Sequence, residues 1–176
     1  MGKKLPKQKD LKKVLWFFIK LNLFLLPFYI VIYFDLKYEP AQIVFAKLVA
    51  FFFNFLGFKI IQDGFILYLG NNNFPIDISF DCIGWKSSYS LIALVAALPG
   101  DLKQKMIFLL KWVPMMFLFN FLRVLSAIIV GFLFGFNYMI LFHDYFLQPL
   151  MIFLVLFIWM IYINSTEKEK IYRSKK

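Results

Sequence analysis

The first long apolar stretch, residues Val14–Phe34, reads VLWFFIKLNLFLLPFYIVIYF. A helix of this length rises about 31 Å, which matches the hydrocarbon core of a bilayer, roughly 30 Å thick. No small-residue cleavage site follows the stretch, so we expect a transmembrane helix that stays in the protein rather than a cleaved signal peptide. The stretch therefore predicts a protein that is integral to a membrane.

The composition of the whole chain indicates more than one such helix. Of its 176 residues, 62% are hydrophobic and only 17% are charged, whereas soluble domains are about half apolar and about a quarter charged. The 25 phenylalanines are spread over several long stretches, which excludes both a soluble enzyme and a soluble head on a single anchor. We predict an all-α polytopic membrane protein with about four to five transmembrane helices, one interfacial or re-entrant helix and a small extracytoplasmic β-hairpin.

The remaining segments follow from hydropathy and turn residues. They are an interfacial or re-entrant helix at Ala41–Gln62, a hairpin at 63–81, a third helix at Gly84–Leu98, a fourth span at Gln104–Ala127, an irregular or re-entrant connection at Ile128–Phe142 and a final span at Tyr145–Ile163. The hairpin is predicted because two β-prone runs flank the Asn-rich residues 70–73. Open strands leave unpaired backbone groups in lipid, so the hairpin is expected outside the hydrocarbon.

Positive charge is concentrated in two tails that flank a single membrane domain at residues 14–163. Residues 1–13 contain six lysines and one aspartate, and residues 164–176 contain five basic and two acidic side chains. Such tails stay in the cytoplasm, which favours this topology over a nucleic-acid partner. Lys103 and Lys105 are expected in the cytoplasm as well. Counting the crossings between these cytoplasmic segments then places the hairpin outside, and residues 41–62 cannot cross the membrane. An external N-terminus is the alternative.

This topology brings three isolated polar residues to one outer face. Cys82, the only cysteine, precedes the third helix, where the helix dipole favours a thiolate. Arg123 lies near the outer boundary, and His143, the only histidine, opens the final span. These groups are sufficient for acyl transfer as nucleophile, oxyanion stabiliser and general acid/base. Supporting roles are expected for Asp81, Asn120, Asp144 and Ser87. No metal or cofactor is expected, because one His and one Cys provide no recognisable ligand spacing.

Each of the three residues also has a plainer interpretation. A lone cysteine such as Cys82 is usually a small buried hydrophobe, Arg123 could extend toward lipid headgroups, and His143 beside Asp144 could cap a helix. The rival hypothesis is a noncatalytic small transporter or assembly factor with a polar cavity at Arg123 and His143. The common depth of the three side chains favours an active site.

Two motifs and one residue carry a family resemblance. Asp81-Cys82-Ile83-Gly84-Trp85-Lys86-Ser87-Ser88 resembles the Cys-x-Gly-x-x-Ser signature of the exosortase/archaeosortase family, Asn120-Phe121-Leu122-Arg123 resembles its Asn-x-x-Arg helix, and His143 falls where the family has its third catalytic residue. The resemblance implies a multi-pass membrane cysteine transpeptidase or protease. Its expected partners are membrane lipid and exported proteins that end in a short motif, a transmembrane helix and a basic tail. They would be held as a thioester on Cys82 and passed to an acceptor such as a lipid.

Overall fold

The computed structural model describes residues 8–69 and 74–174, and it is built mainly from helices. The helices are α1 (Gln8–Tyr33), α2 (Glu39–Phe55), α3 (Trp85–Ala97), α4 (Leu102–Phe134), α5 (Phe136–Leu141) and α6 (Gln148–Ser174). The strands are β1 (Ile60–Asp63), β2 (Ile66–Leu69) and β3 (Phe74–Asp77), which form one antiparallel sheet. A 3-10 turn at Phe80–Ile83 and a π-helical segment at Phe142–Leu147 complete the fold. The predicted all-α class with a small sheet is confirmed.

Three helical segments are long and apolar enough to cross a membrane. Within the described residues they are Leu11–Tyr33, Leu102–Phe134 and Phe136–Thr166. The helices α2 and α3 are shorter, with 17 and 13 residues, and α3 rises only about 20 Å. The protein is therefore a multi-pass membrane protein.

Short helix α3 lies at the centre of the bundle and packs against α1, α4 and α6. The hydroxyl of Tyr89 donates to the carbonyl of Phe24 in α1 at 2.9 Å. At the other end, the Lys105 ammonium donates to the carbonyl oxygens of Ala96 and Leu98, which the helix leaves without partners of its own. Helix α3 is thereby held against α1 by one bond and against the start of α4 by the others.

The predicted helix over Ala41–Gln62 is too long. Helix α2 ends at Phe55, and Gly57 follows in a left-handed conformation with φ of 88°. The Asn54 side chain then donates to the carbonyl of Ile60 at 3.0 Å and accepts from its N–H at 2.9 Å, so it pairs with the start of β1 as a neighbouring strand would. The β-branched residues that follow extend into the sheet.

The predicted hairpin over residues 63–81 corresponds to β2 and β3, which pair with Ile66 opposite Asp77 and Leu67 opposite Ile76. Strand β1 adds a third strand on the other edge of β2. The Asn-rich residues 70–73 lie outside the described part of the chain, as do residues 1–7 and 175–176 of the predicted tails. The sheet and α2 form one core with the C-terminal half of α4, which contributes Val124, Leu125 and Ile128.

Of the predicted irregular or re-entrant connection at Ile128–Phe142, the irregular alternative is wrong, because this region is helical. Helix α4 continues to Phe134, and only Gly135, with φ of 92°, interrupts it. The helical chain then runs from Phe136 to Ser174. A Cβ at Gly131 would lie 3.0 Å from the Met139 sulfur, so the absence of a side chain at Gly131 lets α5 pack against α4. Gly131 itself lies within α4 and does not interrupt it.

Candidate active site

The Cys82 thiol is carried by the 3-10 turn that joins β3 to α3. The Cys82 N–H donates to the carbonyl of Ser79 at 3.0 Å, and Gly84, with φ of 87°, ends the turn and starts α3. The chain before the turn is anchored by buried Gln42 of α2, whose amide donates to the carbonyl of Ile78 at 3.0 Å. Cys82 therefore lies at the N-terminal end of α3, as predicted from the sequence.

Asn120 on α4 connects the cysteine turn to the arginine. Its fully buried side chain donates to the Cys82 carbonyl at 2.5 Å and accepts from the Arg123 Nη1 at 3.3 Å. A Cβ at Gly84 would lie only 2.6 Å from the Asn120 Cγ. The glycine two residues after the cysteine therefore makes room for the asparagine, and the three-residue spacing of Asn120 and Arg123 puts both on one face of α4.

Arg123, His143 and Asp144 form a chain of hydrogen bonds. The Arg123 Nη2 lies 2.6 Å from the His143 Nε2, and the His143 Nδ1 lies 2.8 Å from the Asp144 Oδ1. Because a guanidinium only donates, the Nε2 accepts, and the Nδ1 donates its proton to Asp144. The imidazole is thus held in its neutral Nδ1–H form. Among the described residues, the buried Arg123 Nε has no hydrogen-bond partner.

His143 was predicted to open the final helix, but it lies inside a continuous one. It belongs to the π-helical segment Phe142–Leu147 between α5 and α6. Single π-helical turns inside α-helices are frequent at functional sites, because the extra residue displaces side chains from the regular helical faces. The widened turn carries the imidazole on the face toward α4, where Arg123 lies.

The surroundings of the Cys82 thiol favour its ionised form. Burial of the thiol opposes ionisation, but the neighbouring His143 side chain, the Ser79 hydroxyl and the positive charge of Arg123 outweigh it, so the pKa of Cys82 is lowered. The Ser79 Oγ lies 3.3 Å from the Cys82 Sγ. Sequence reasoning missed this serine, although a hydroxyl three residues before a cysteine at a turn is a local pattern that could have indicated it.

Two further candidates lie at the edge of this cluster. The carboxylate of Asp81 pairs with the Lys86 ammonium at 2.6 Å in a partly exposed ion pair. The Ser87 hydroxyl makes no hydrogen bond within the described residues. The structure thus brings Cys82, Asn120 and Arg123 together with His143 and Asp144. Within the same described ranges, no cluster of His, Cys, Asp and Glu side chains suits a metal ion.

Two cavities flank the cysteine turn. One, of about 140 Å³, is lined by Cys82, His143 and a mainly apolar wall. The other, of about 290 Å³, lies between the end of α1 and the turn and is lined by Ser79, Asp81, Lys86, Asp35 and Lys37 among others. The thiol and its hydroxyl partner therefore have an apolar space on one side and a charged one on the other.

Long apolar helices around a partly buried cysteine, arginine and histidine define a multi-pass membrane protein with a cysteine-centred polar cluster. The family model of the transmembrane exosortase (Exosortase_EpsH) matches residues 7–163. This match covers most of the chain, so the protein belongs to the exosortase family. No curated protein and no solved structure matches the chain.

Proposed function

We propose that this protein is a membrane-embedded cysteine transpeptidase or protease that cleaves C-terminal sorting signals of exported proteins. The substrate would be held as a thioester on Cys82 and transferred to an acceptor such as a lipid amine. The observation that carries the proposal is the convergence of three separate segments on one site: Cys82 and His143 line the same cavity, and Arg123 bonds His143 at 2.6 Å. A nucleophile, a proton carrier and an oxyanion stabiliser are the groups that acyl transfer needs.

In the first half-reaction, the Cys82 sulfur attacks the carbonyl carbon of the scissile peptide bond. The thiol proton goes to the His143 Nε2, a carbon–sulfur bond forms, and the carbonyl oxygen becomes an oxyanion. When the tetrahedral intermediate collapses, the carbon–nitrogen bond breaks, and the leaving amine takes the proton from His143. The products are a thioester on Cys82 and the released C-terminal fragment.

The bond between Arg123 and His143 couples proton transfer to oxyanion stabilisation. In the resting arrangement, the Arg123 Nη2 occupies the Nε2 lone pair of His143 at 2.6 Å. For Nε2 to take the thiol proton, Arg123 has to release this lone pair, because both partners would then be cationic donors. The released Nη2 and the Nε of Arg123, which has no partner among the described residues, can then donate to the oxyanion. Asp144 continues to accept from the Nδ1 of the imidazolium.

In the second half-reaction, an acceptor amine attacks the thioester carbonyl. The amine loses a proton to the His143 Nε2, the carbon–sulfur bond breaks, and the proton returns to the Cys82 sulfur. Water in place of the amine would release a free carboxylate, which is the protease reaction. The atoms balance without a metal or a redox cofactor.

The contacts of α3 support a site on the extracytoplasmic side. Lys105 binds the C-terminal end of α3, and Asn120 binds the turn at its N-terminal end. These residues are 15 positions apart on α4, or about 22 Å. If the lysines at 103 and 105 are cytoplasmic, as the positive-inside rule predicts, both tails are cytoplasmic and Cys82 faces the outside. A substrate helix in the membrane would then present its juxtamembrane motif to the thiol.

The rival hypothesis, a noncatalytic transporter or assembly factor, has less support from the site. The Arg123 guanidinium bonds two side chains of the protein, and the cavity between α4 and α6 that it also lines is mainly apolar. The cavity at His143 has a mainly apolar lining.

The test is processing of a reporter in the native membrane. An exported protein of the same organism with a short motif, an apolar helix and a basic tail at its C-terminus is co-produced with the wild type or with Cys82→Ser, Arg123→Gln or His143→Gln. We expect the wild type to shorten the reporter on a gel. Each variant is expected to slow processing by 10² or more, with loss at Cys82→Ser.

The controls separate loss of chemistry from loss of folding. The matched variant Ser165→Ala removes a hydroxyl that donates to the Tyr162 carbonyl near the end of α6, far from the site, and we expect it to retain processing. Levels of each variant in the membrane are measured in parallel. Processing that persists in Cys82→Ser at normal protein levels would refute the thioester mechanism.

A further inference from the structure

The apolar cavity beside the thiol is built from three different elements. Its wall includes Ile76 and Ile78 from β3 and its exit, Val124, Ala127 and Ile128 from α4, and Met139 from α5. All but Met139 are buried, and Met139 packs against the same core. Asp77 and Asp144 also line the cavity, and both are exposed at its edge.

The reacting groups of the proposed mechanism open into this same space, because Cys82 and His143 both line it. A carbonyl carbon under attack by the Cys82 sulfur is one bond from the α-carbon of its residue, so the side chain of that residue must enter a space next to the sulfur. The cavity lined by Cys82 and His143 provides a space of this kind.

Size and lining select the side chain that this space would hold. The cavity measures about 140 Å³, close to an engineered apolar cavity of about 150 Å³ that binds benzene. An aliphatic side chain therefore fits and would bury its methylene groups against the wall. An acidic side chain would meet the carboxylates of Asp77 and Asp144 and lose its hydration.

We propose that this cavity is a specificity pocket that takes an uncharged aliphatic side chain of the substrate residue whose carbonyl Cys82 attacks. The proposal rests on the proposed function and adds the residue class beside the cleaved bond. Residues of β3, α4 and α5 form the wall of this pocket. Ala127 and Ile128 on α4 line this pocket.

The test uses alkyl methanethiosulfonates with methyl, butyl and hexyl chains as probes on the full-length protein in detergent micelles. The Cys82 thiolate attacks the divalent sulfur that carries the alkyl group, a disulfide forms, and methanesulfinate leaves, so no further reactant is needed. The rate with each chain is divided by the rate of the same reagent with free cysteine. We expect butyl to be favoured over methyl by roughly tenfold, since two to three buried methylene groups are worth at least that factor.

Variants of the wall should change this preference in opposite directions. Ala127→Leu fills the cavity and is expected to abolish the preference for butyl while the methyl reagent still reacts. Ile128→Ala enlarges the cavity and is expected to move the preference to hexyl. Its matched control is Ile129→Ala, the same change one residue on, where the side chain is 40% exposed and does not line the cavity.

The outcomes separate the pocket from the reaction. Chain-length preference that follows the wall variants supports the pocket, and loss of reporter processing does not affect that result. A rate independent of chain length in the wild type, or a preference that Ala127→Leu and Ile128→Ala leave unchanged, overturns the pocket even if processing requires Cys82. Reduced processing of reporters with aspartate in place of an aliphatic residue before the cleaved bond would further support it.

Discussion

Replacing Gly84 with alanine should destabilise the protein through two separable effects. The first is backbone strain, because φ at Gly84 is 87°, and a Cβ in the left-handed region costs about 1–2 kcal/mol. The second is crowding, because the new Cβ would lie 2.6–2.8 Å from three atoms of the Asn120 side chain. Asn120 is fully buried, so it cannot move aside without breaking its bond to the Cys82 carbonyl.

The crowding effect can be given a magnitude from that bond. A buried polar group left without its partner costs about 1–3 kcal/mol, which adds to the strain to give a total loss of roughly 2–5 kcal/mol. Gly57→Ala provides a matched control. Its φ is 88°, and nothing lies within 4 Å of the Cβ position, so it should cost only the strain. The difference between the two variants isolates the crowding of Asn120.

The assay is unfolding in mixed micelles by titration with dodecyl sulfate, followed by circular dichroism. A double-mutant cycle of Gly84→Ala with Asn120→Ala tests the contact directly. We expect a coupling of about 1–3 kcal/mol, because the clash disappears once the asparagine is gone. If Gly84→Ala costs no more than Gly57→Ala and the cycle is additive, the contact between glycine and asparagine does not hold the cysteine turn in place.

Three other predictions concern the thiol, the topology and α2. Because the pKa of Cys82 is lowered, its thiolate persists to lower pH than that of a free thiol, and the midpoint of its alkylation rate against pH should lie correspondingly lower. Ser79→Ala should raise that midpoint, whereas Ser165→Ala should not; equal midpoints would contradict the role of the hydroxyl. In intact cells, a membrane-impermeant maleimide should label Cys82 but not Lys103→Cys in a cysteine-free background, and the reverse pattern would invert the topology. Gln42→Met should lower the free energy of unfolding by about 1–3 kcal/mol, because it removes the donor to the carbonyl of buried Ile78, just before the cysteine turn; an unchanged value in the same micelle titration would refute that anchoring.

Turn and helix boundaries show where sequence reasoning reaches its limit. The apolar run Ala41–Gln62 reads as one helix, because hydropathy does not distinguish a helix from a strand over a few β-branched residues. Its division after Phe55 depends on Asn54 bonding the backbone of Ile60. Likewise, Gly131 and Gly135 look alike in sequence, yet only Gly135 breaks the helix.

The sequence by itself determined that this is a multi-pass membrane protein with one cysteine, one histidine and an isolated arginine in its apolar body. Hydropathy and charge are properties of each segment, so they can be read without the fold. Only the tertiary structure decided how Cys82, Arg123 and His143 meet, that Asn120 lies over Gly84, that Ser79 bonds the thiol, and that an apolar cavity opens beside it. These features depend on distances between residues remote in the chain, and such distances are set by the packing of α3, α4 and α5 rather than by local preference.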